Sequence, residues 1–282
     1  MTVIKREGIM MCCPFSFKRF EQWGSQAYLQ SKLNGERCRV IWDSEGKVSL
    51  HSSYNKEIVS VPHIYQELSD IEFVNTEKDG ELYVPGMDLR MIQSIVSRTV
   101  NLHPNFQVMQ LHLFDNVDNT VQHNRFDTFY SDADIFKDTN SIKIVETDLV
   151  TSNDEISKCL AQRMEAGYEG IVLRKVDGLY QRDLHSTQIM KLKPRKDDHY
   201  IIVGVQEEID IYGNPKNALG SFQCERNSKP FSIGTGTLLT RANREFYWKN
   251  PPIGKVLHIK YQELTPNGIP YAPVACSIEE IV

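Results

Sequence analysis

The chain has 282 residues, of which 40% are hydrophobic and 24% charged, and that composition excludes wholesale disorder and allows one large core or two smaller ones. No apolar run approaches the roughly 18–20 residues of a bilayer span, and residues 1–11 carry Lys5, Arg6 and Glu7 with no apolar h-region, so neither a membrane segment nor a signal peptide is expected. A net charge of −5 excludes a chain held to nucleic acid by bulk charge and leaves only local basic surfaces.

Cys38–Trp42 and Lys47–His51 are β-rich runs around the turn Asp43-Ser44-Glu45-Gly46, which predicts a hairpin. Pro62–Ser69 reads as a short helix with proline in its first turn. Leu82–Val84 ends a strand before Pro85-Gly86. Leu89, Ile92, Ile95 and Val96 have helical spacing over Leu89–Val100, and Phe106–Phe114 alternates as a strand. Asn153–Ala166 is the clearest helix, with Ser152 or Asn153 to cap it, Ile156, Leu160 and Met164 on one face and Gly167 to end it. Beyond Lys193-Pro194 the texture changes to short strands between turn signals. Among these is Asn267-Gly268, with Pro266 before it, between Ile259–Tyr261 and Tyr271–Val274. Regularly spaced short strands predict a small β-barrel, so the chain divides into an α+β part over residues 1–196 and an all-β part over residues 197–282.

Six cysteines without a C-x-x-C pair predict reduced thiols in a cytosol-like compartment rather than a zinc site or disulfides. Charge is uneven. Seven basic residues face three acidic ones over residues 1–40, and Lys191, Lys193, Arg195 and Lys196 form a second basic cluster. Residues 197–282 hold eight basic and ten acidic residues and are not a broad cationic clamp. Charge alone points to Lys18, Arg19, Arg37 and Arg39 as phosphate contacts.

The segment Lys32-Leu33-Asn34-Gly35-Glu36-Arg37, taken alone, reads as a surface turn between strands. Four other segments change that reading. They are Asp79-Gly80-Glu81-Leu82-Tyr83, Leu113-Phe114-Asp115, Glu169-Gly170-Ile171-Val172-Leu173-Arg174 and Met190-Lys191-Leu192-Lys193-Pro194. In this order and spacing, the five resemble the motifs of the covalent nucleotidyltransferase superfamily. Within it they look most like the ATP-dependent DNA ligases of the compact type, over roughly residues 14–274. The resemblance implies an adenylation (nucleotidyltransferase) domain of antiparallel sheets and helices followed by an all-β OB-fold barrel.

By that resemblance Lys32 attacks the α-phosphorus of ATP and carries AMP. Lys191 and Lys193 bind the α-phosphate, and by their charge they lower the pKa of Lys32. Glu81 and Glu169 contact ribose and the metal, Mg²⁺ with Mn²⁺ as the alternative ion. Arg37 meets ribose and the nick 5′-phosphate, Gln30 reads the adenine amino group and Phe114 stacks on the base. Arg174 stands where ligases usually place lysine and would meet phosphate. The implied partner is nicked duplex DNA, handled by a monomer in replication or repair, in the cytoplasm (a host cytoplasm for a viral chain), with the OB domain swinging about residues 193–198.

Three positions depart from the pattern. Asn34 replaces the usual aspartate. The expected Ser-Arg motif reads Ser53-Tyr54-Asn55-Lys56-Glu57, with Lys56 the substitute. The basic C-terminal motif is replaced by Tyr271–Ile278. An RNA ligase, a GTP-dependent mRNA capping enzyme and a non-catalytic nucleic-acid-binding relative remain alternatives at this point.

Overall fold

The computed structural model describes residues 5–261, 264–265 and 267–279. Pro266 of the expected hairpin turn and residues 1–4 lie outside the described residues. The chain folds as two compact units that part between Lys193 and Pro194.

The first unit is built on two five-stranded sheets. In one, the strands run Met11–Pro14, His185–Leu192, Gly170–Lys175, Ala27–Lys32 and Thr147–Val150 in spatial order. In the other they run Val48–Ser52, Glu36–Trp42, Thr76–Tyr83, Gln110–Asn116 and Ile142–Ile144. Pairing is antiparallel except at Met11–Pro14 with its neighbour and at Ile142–Ile144 with its neighbour.

Period-two alternation sorts each strand into a core face and a polar face. Ala27 and Leu29, Ile171 and Leu173, and Met190 pack with Phe20 and Ile156, from the helices Phe17–Gln22 and Asn153–Glu165, into one core. Tyr28, Gln30 and Lys32 therefore share the opposite face with Gly170, Val172, Arg174 and Lys191, their neighbours in register. Cys38, Val40 and Trp42 pack with Leu50, Ile64, Leu68, Ile92 and Ile95, beneath the helices Pro62–Ser69 and Leu89–Val96. That arrangement turns Arg37 and Arg39 to the polar face of the second sheet.

Two local expectations shift. The helix from Leu89 ends at Val96 with Ser97 as its C-cap, so Val100 is exposed rather than helical. Phe106–Val108 is a 3₁₀ turn, and the strand begins at Gln110. The Phe106 N–H closes onto the His103 carbonyl and Met109 N–H onto that of Phe106, which satisfies the backbone locally before any neighbouring strand is reached.

The second unit is a five-stranded antiparallel sheet in the order Lys229–Ile233, Pro215–Arg226, Lys196–Ile209, Val256–Tyr261 and Val274–Glu279. Its core gathers Ile202, Leu219, Phe222, Cys224, Ile233, Leu257 and Ile259. It also contains the helix Arg241–Lys249, capped by Thr240, which the all-β expectation did not include. Around Asn267-Gly268 the chain turns back, but the second arm is the strand Val274–Glu279 rather than Tyr271–Val274. The Gly268 N–H reaches the Thr265 carbonyl at 2.7 Å, and Leu264 pairs with Pro270.

Candidate active site

Lys32 ends its strand, and the chain leaves it through Gly35. A side chain at Gly35 would place its Cβ 2.2 Å from the Leu82 carbonyl, so the turn after Lys32 admits only glycine there. The Gly35 N–H donates to Glu81 Oε1 at 2.6 Å, which ties the turn to the next sheet and brings the Glu81 carboxylate toward Lys32. Gly170 is held similarly. Its φ is +153°, and a Cβ would meet the Leu192 carbonyl at 2.3 Å. This close approach sets Glu169 beside Lys32 and Lys193.

The Lys32 ammonium is ion-paired with Glu169. The other oxygen of Glu169 accepts from Lys193 Nζ at 2.7 Å. Burial pushes the Lys32 amine down, but the carboxylates of Glu169 and Glu81 outweigh it, and the amine is held above its usual value. Burial pushes the Glu169 carboxyl up, and Lys32 and Lys193 bring it below the ordinary range. Glu81 is raised, because burial exceeds the help it receives from Lys32 and the Gly35 amide. The expected lowering of Lys32 by Lys191 and Lys193 is thus not the state of the free protein. Lys193 spends its charge on Glu169, and the nucleophile candidate rests as an ammonium.

Substituting Glu169 by glutamine is therefore expected to lower the Lys32 pKa in the free protein. An NMR titration of the Lys32 amine would read the downward shift. An unchanged titration midpoint would show that Glu169 does not hold the proton there.

Arg37 is committed to Asp79. Its Nε donates at 2.6 Å, its Nη2 pairs with the second oxygen, and its guanidinium lies 5.0 Å from the Phe114 ring centroid. Burial pushes the Asp79 carboxyl up, but Arg37 and the Tyr180 hydroxyl, which donates at 2.5 Å, hold it below the usual carboxylate range. Phe114 is almost wholly buried, with the Arg174 guanidinium 5.3 Å from its centroid.

Arg174 lies inside rather than open to phosphate. It donates from Nε to Gln30 at 2.8 Å and from Nη1 to Asp115 at 2.7 Å. Asp115 also takes Arg125, at 3.1 Å from Nε. Arg39 is likewise corrected as a surface phosphate contact. It is buried and bonded to Glu77 at 2.6 Å and to Asn55 at 2.8 Å. Arg19 is half-committed, to Cys13 Sγ and the Pro14 carbonyl, while Lys18 is exposed. Lys56 is exposed and lines a groove of about 400 Å³ with Ser52, Gln93 and Arg98.

The structure thus brings Lys32, Glu81, Glu169 and Lys193 together around one amine. It sets Arg37 and Arg174 over the Phe114 ring and Gln30 on the Phe114 carbonyl, and it places Lys191 on the face that carries Lys32. Asp79 and Asp115, which lie in two of the motifs but were given no role, complete the network with Arg125, Thr147 and Tyr180, which the sequence did not single out.

The model of the ATP dependent DNA ligase domain matches residues 10–193, and that of the DNA ligase OB-like domain matches residues 212–278. The chain belongs to the ATP-dependent DNA ligase family. A DNA ligase of African swine fever virus is 28% identical over 296 residues, covering 93% of this chain; this chain spans 66% of that relative's length. A solved Lig E DNA ligase superposes with a TM-score of 0.76 at 18% identity, covering 96% of this chain and all of that one. The Chlorella virus DNA ligase-adenylate superposes at 0.54 with 20% identity, covering 99% and 100% of the two chains. The two structures share the fold, an adenylation domain followed by an OB-like domain.

The donor set around Lys32 fits a divalent ion of the ligase family. Glu81 and Glu169 supply hard carboxylate oxygens, while no cluster of three or more His, Cys, Asp or Glu side chains able to hold a metal occurs among the described residues. Two carboxylates with the remaining ligands left to phosphate and water is the way Mg²⁺ is commonly bound beside nucleotides.

Proposed function

We propose that this chain seals nicks between 3′-hydroxyl and 5′-phosphate ends of duplex DNA, using ATP through a lysyl-AMP intermediate, as a monomer. The observation that carries the reading is the Lys32–Glu169–Lys193 arrangement, in a chain whose first unit matches that family.

The chemistry follows from the groups present. Lys32 must lose its proton before its nitrogen can attack. Arrival of a triphosphate beside Glu169 and Lys193 redistributes their pairing. Lys193 turns from carboxylate to phosphate, and Glu169, more basic without that cation and already paired with Lys32, takes the Lys32 proton and leaves the amine neutral. The nitrogen then bonds the α-phosphorus and pyrophosphate leaves with the electron pair of the broken P–O bond. The 5′-phosphate of the nick next displaces Lys32 from that phosphorus, and the 3′-hydroxyl finally displaces AMP. Positioning and charge neutralisation supply most of the catalysis in such displacements. Mg²⁺ held by Glu81 and Glu169 would supply neutralisation of phosphate charge.

Six free cysteines fit a reducing, cytoplasmic setting, and no helix among the described residues is long and apolar enough to cross a membrane.

The test is sealing of a labelled nicked duplex with ATP and Mg²⁺. A ligated product that requires both and disappears with chelator supports the reading, and failure to ligate under any divalent ion contradicts it. A chain ending at Lys193 keeps Lys32, Glu81, Glu169, Lys191 and Lys193. It is expected to accept AMP, to bind the nick with a shallower salt dependence because fewer phosphates are neutralised, and to seal poorly. Sealing equal to that of the full chain would show that the second unit is no part of the DNA grip.

A further inference from the structure

The strand Thr147–Val150 stands at the edge of its sheet and is paired on one side, with Ala27–Lys32. In an antiparallel edge strand half of the backbone N–H and C=O groups point away from the sheet and can take up another strand. Leu149 stands opposite Tyr28 and Thr147 opposite Gln30, so both project on the polar face, and Leu149 is 51% exposed.

Beside this edge lies an open pocket of about 360 Å³ lined by Tyr28, Phe126, Asp127, Tyr130, Thr147 and Leu149. Its three rings stand at steep angles to one another. The Tyr28 and Phe126 centroids are 4.9 Å apart at 62°, and those of Phe126 and Tyr130 are 5.7 Å apart at 67°. Both tyrosines are held by their hydroxyls. That of Tyr28 is hydrogen-bonded to His123 Nδ1 at 2.8 Å, and that of Tyr130 donates to the Val145 carbonyl at 2.9 Å. Of the described residues in the lining only Asp127 is charged, and its carboxylate is 67% exposed, 3.5 Å from His123 Nε2. Glu146 and Asp148 flank Thr147 along the same edge. Arg163 answers part of that charge, at 2.7 Å from Asp148 and 4.0 Å from Glu146.

We propose that this edge binds an extended segment of a partner protein, which adds as a strand beside Thr147–Val150 and places an arginine side chain in the aromatic pocket. A guanidinium among tilted aromatic faces gains from the ring quadrupoles, and Asp127 meets its charge at the rim. The methylene stem lies against Phe126 and Leu149. Four residues make a short ladder, so the backbone bonds set direction and the pocket sets selectivity. Charge excludes nucleic acid as the occupant, since Asp127, Glu146 and Asp148 would face its phosphates. The proposal goes beyond the ligase reading, and Lys32, Glu81, Glu169 and Lys193 take no part in it.

The experiment titrates the isotope-labelled full chain, followed by NMR, with three capped pentapeptides of threonine and valine. The central residue is arginine in the first and citrulline in the second. The third is the arginine peptide with the central and the following backbone nitrogens methylated. Successive N–H groups of a strand point to opposite sides, so one of the two methyl groups meets the edge in either register. The arginine peptide is expected to shift the amides of Asp127, Thr147 and Leu149 and to bind roughly tenfold more tightly than either of the others. Asp127→Asn is expected to weaken the arginine peptide about threefold and to leave the citrulline peptide unchanged.

A citrulline peptide that binds as tightly as the arginine peptide would overturn the cation pocket, a comparison that stands even if the asparagine variant does not fold. A methylated peptide that binds as tightly would overturn strand addition. Shifts that map away from Thr147–Val150, or no binding of the arginine peptide at millimolar concentration, would overturn the proposal as a whole. Failure of nick sealing would instead strike the ligase reading and leave this one in place.

Discussion

Replacing Lys32 with alanine is expected to abolish covalent transfer of AMP from ATP while leaving the chain folded. The Lys32 amine is ion-paired with Glu169 and lies in the field of Glu81, so it meets both acidic residues of the site. Glu169 keeps Lys193 at 2.7 Å after the substitution, so no carboxylate is stranded. The variant is also expected to seal a nick that already carries AMP, because that step uses the 3′-hydroxyl and not the lysine amine. AMP incorporation at a normal level in the alanine variant would remove Lys32 from the mechanism. A loss of pre-adenylylated sealing equal to the loss of AMP transfer would give the residue a structural role instead.

The largest expected effect on stability belongs to Asp115. It is fully buried between the guanidiniums of Arg125, also fully buried, and Arg174. Asp115→Ala leaves two buried cations without their carboxylate, and removing one partner of such a group costs about 3–5 kcal/mol. Urea denaturation of the full chain would read this as a large fall in the midpoint. A change below about 1 kcal/mol, the size of a surface pair, would mean that the carbonyls of Thr120 and Gly178 suffice for Arg125. Arg174→Met should cost less than Asp115→Ala, since it removes one cation and leaves the carboxylate paired.

The residues around the Lys32 amine were legible in sequence because the chemistry imposes both residue type and spacing. Gly35 and Gly170 are fixed by backbone carbonyls about 2.2–2.3 Å from where a Cβ would stand, so the motifs around Lys32 and Glu169 carry their own geometry. The network around the Phe114 ring was legible only in part, since Asp79, Asp115 and Arg174 fall within motifs but Arg125 and Tyr180 do not. The helix Gln122–Ser131 buries Gln122, Arg125, Phe126 and Phe129, so half of its inner face is polar and no apolar stripe marks it. The helix Arg241–Lys249 escaped for a related reason, having no fully buried residue. Charge counting misplaced Arg39, because a count does not distinguish an arginine held by Glu77 and Asn55 from one in water. The ion pairs of Lys32 in the free protein were out of reach for the same reason. The sequence shows Lys191 and Lys193 nearby, but not that Lys193 is spent on Glu169. The short strand Met11–Pro14 carries two adjacent cysteines and no alternation, and only its pairing with His185–Leu192 defines it.

The most direct test of the account is to incubate the full chain with ATP or GTP labelled at the α-phosphate, denature it, and map the labelled peptide. Label is expected from ATP and not from GTP, acid-labile as a phosphoramidate, on the peptide that contains Lys32. Label from GTP, label on another residue, or no label from either nucleotide would contradict it.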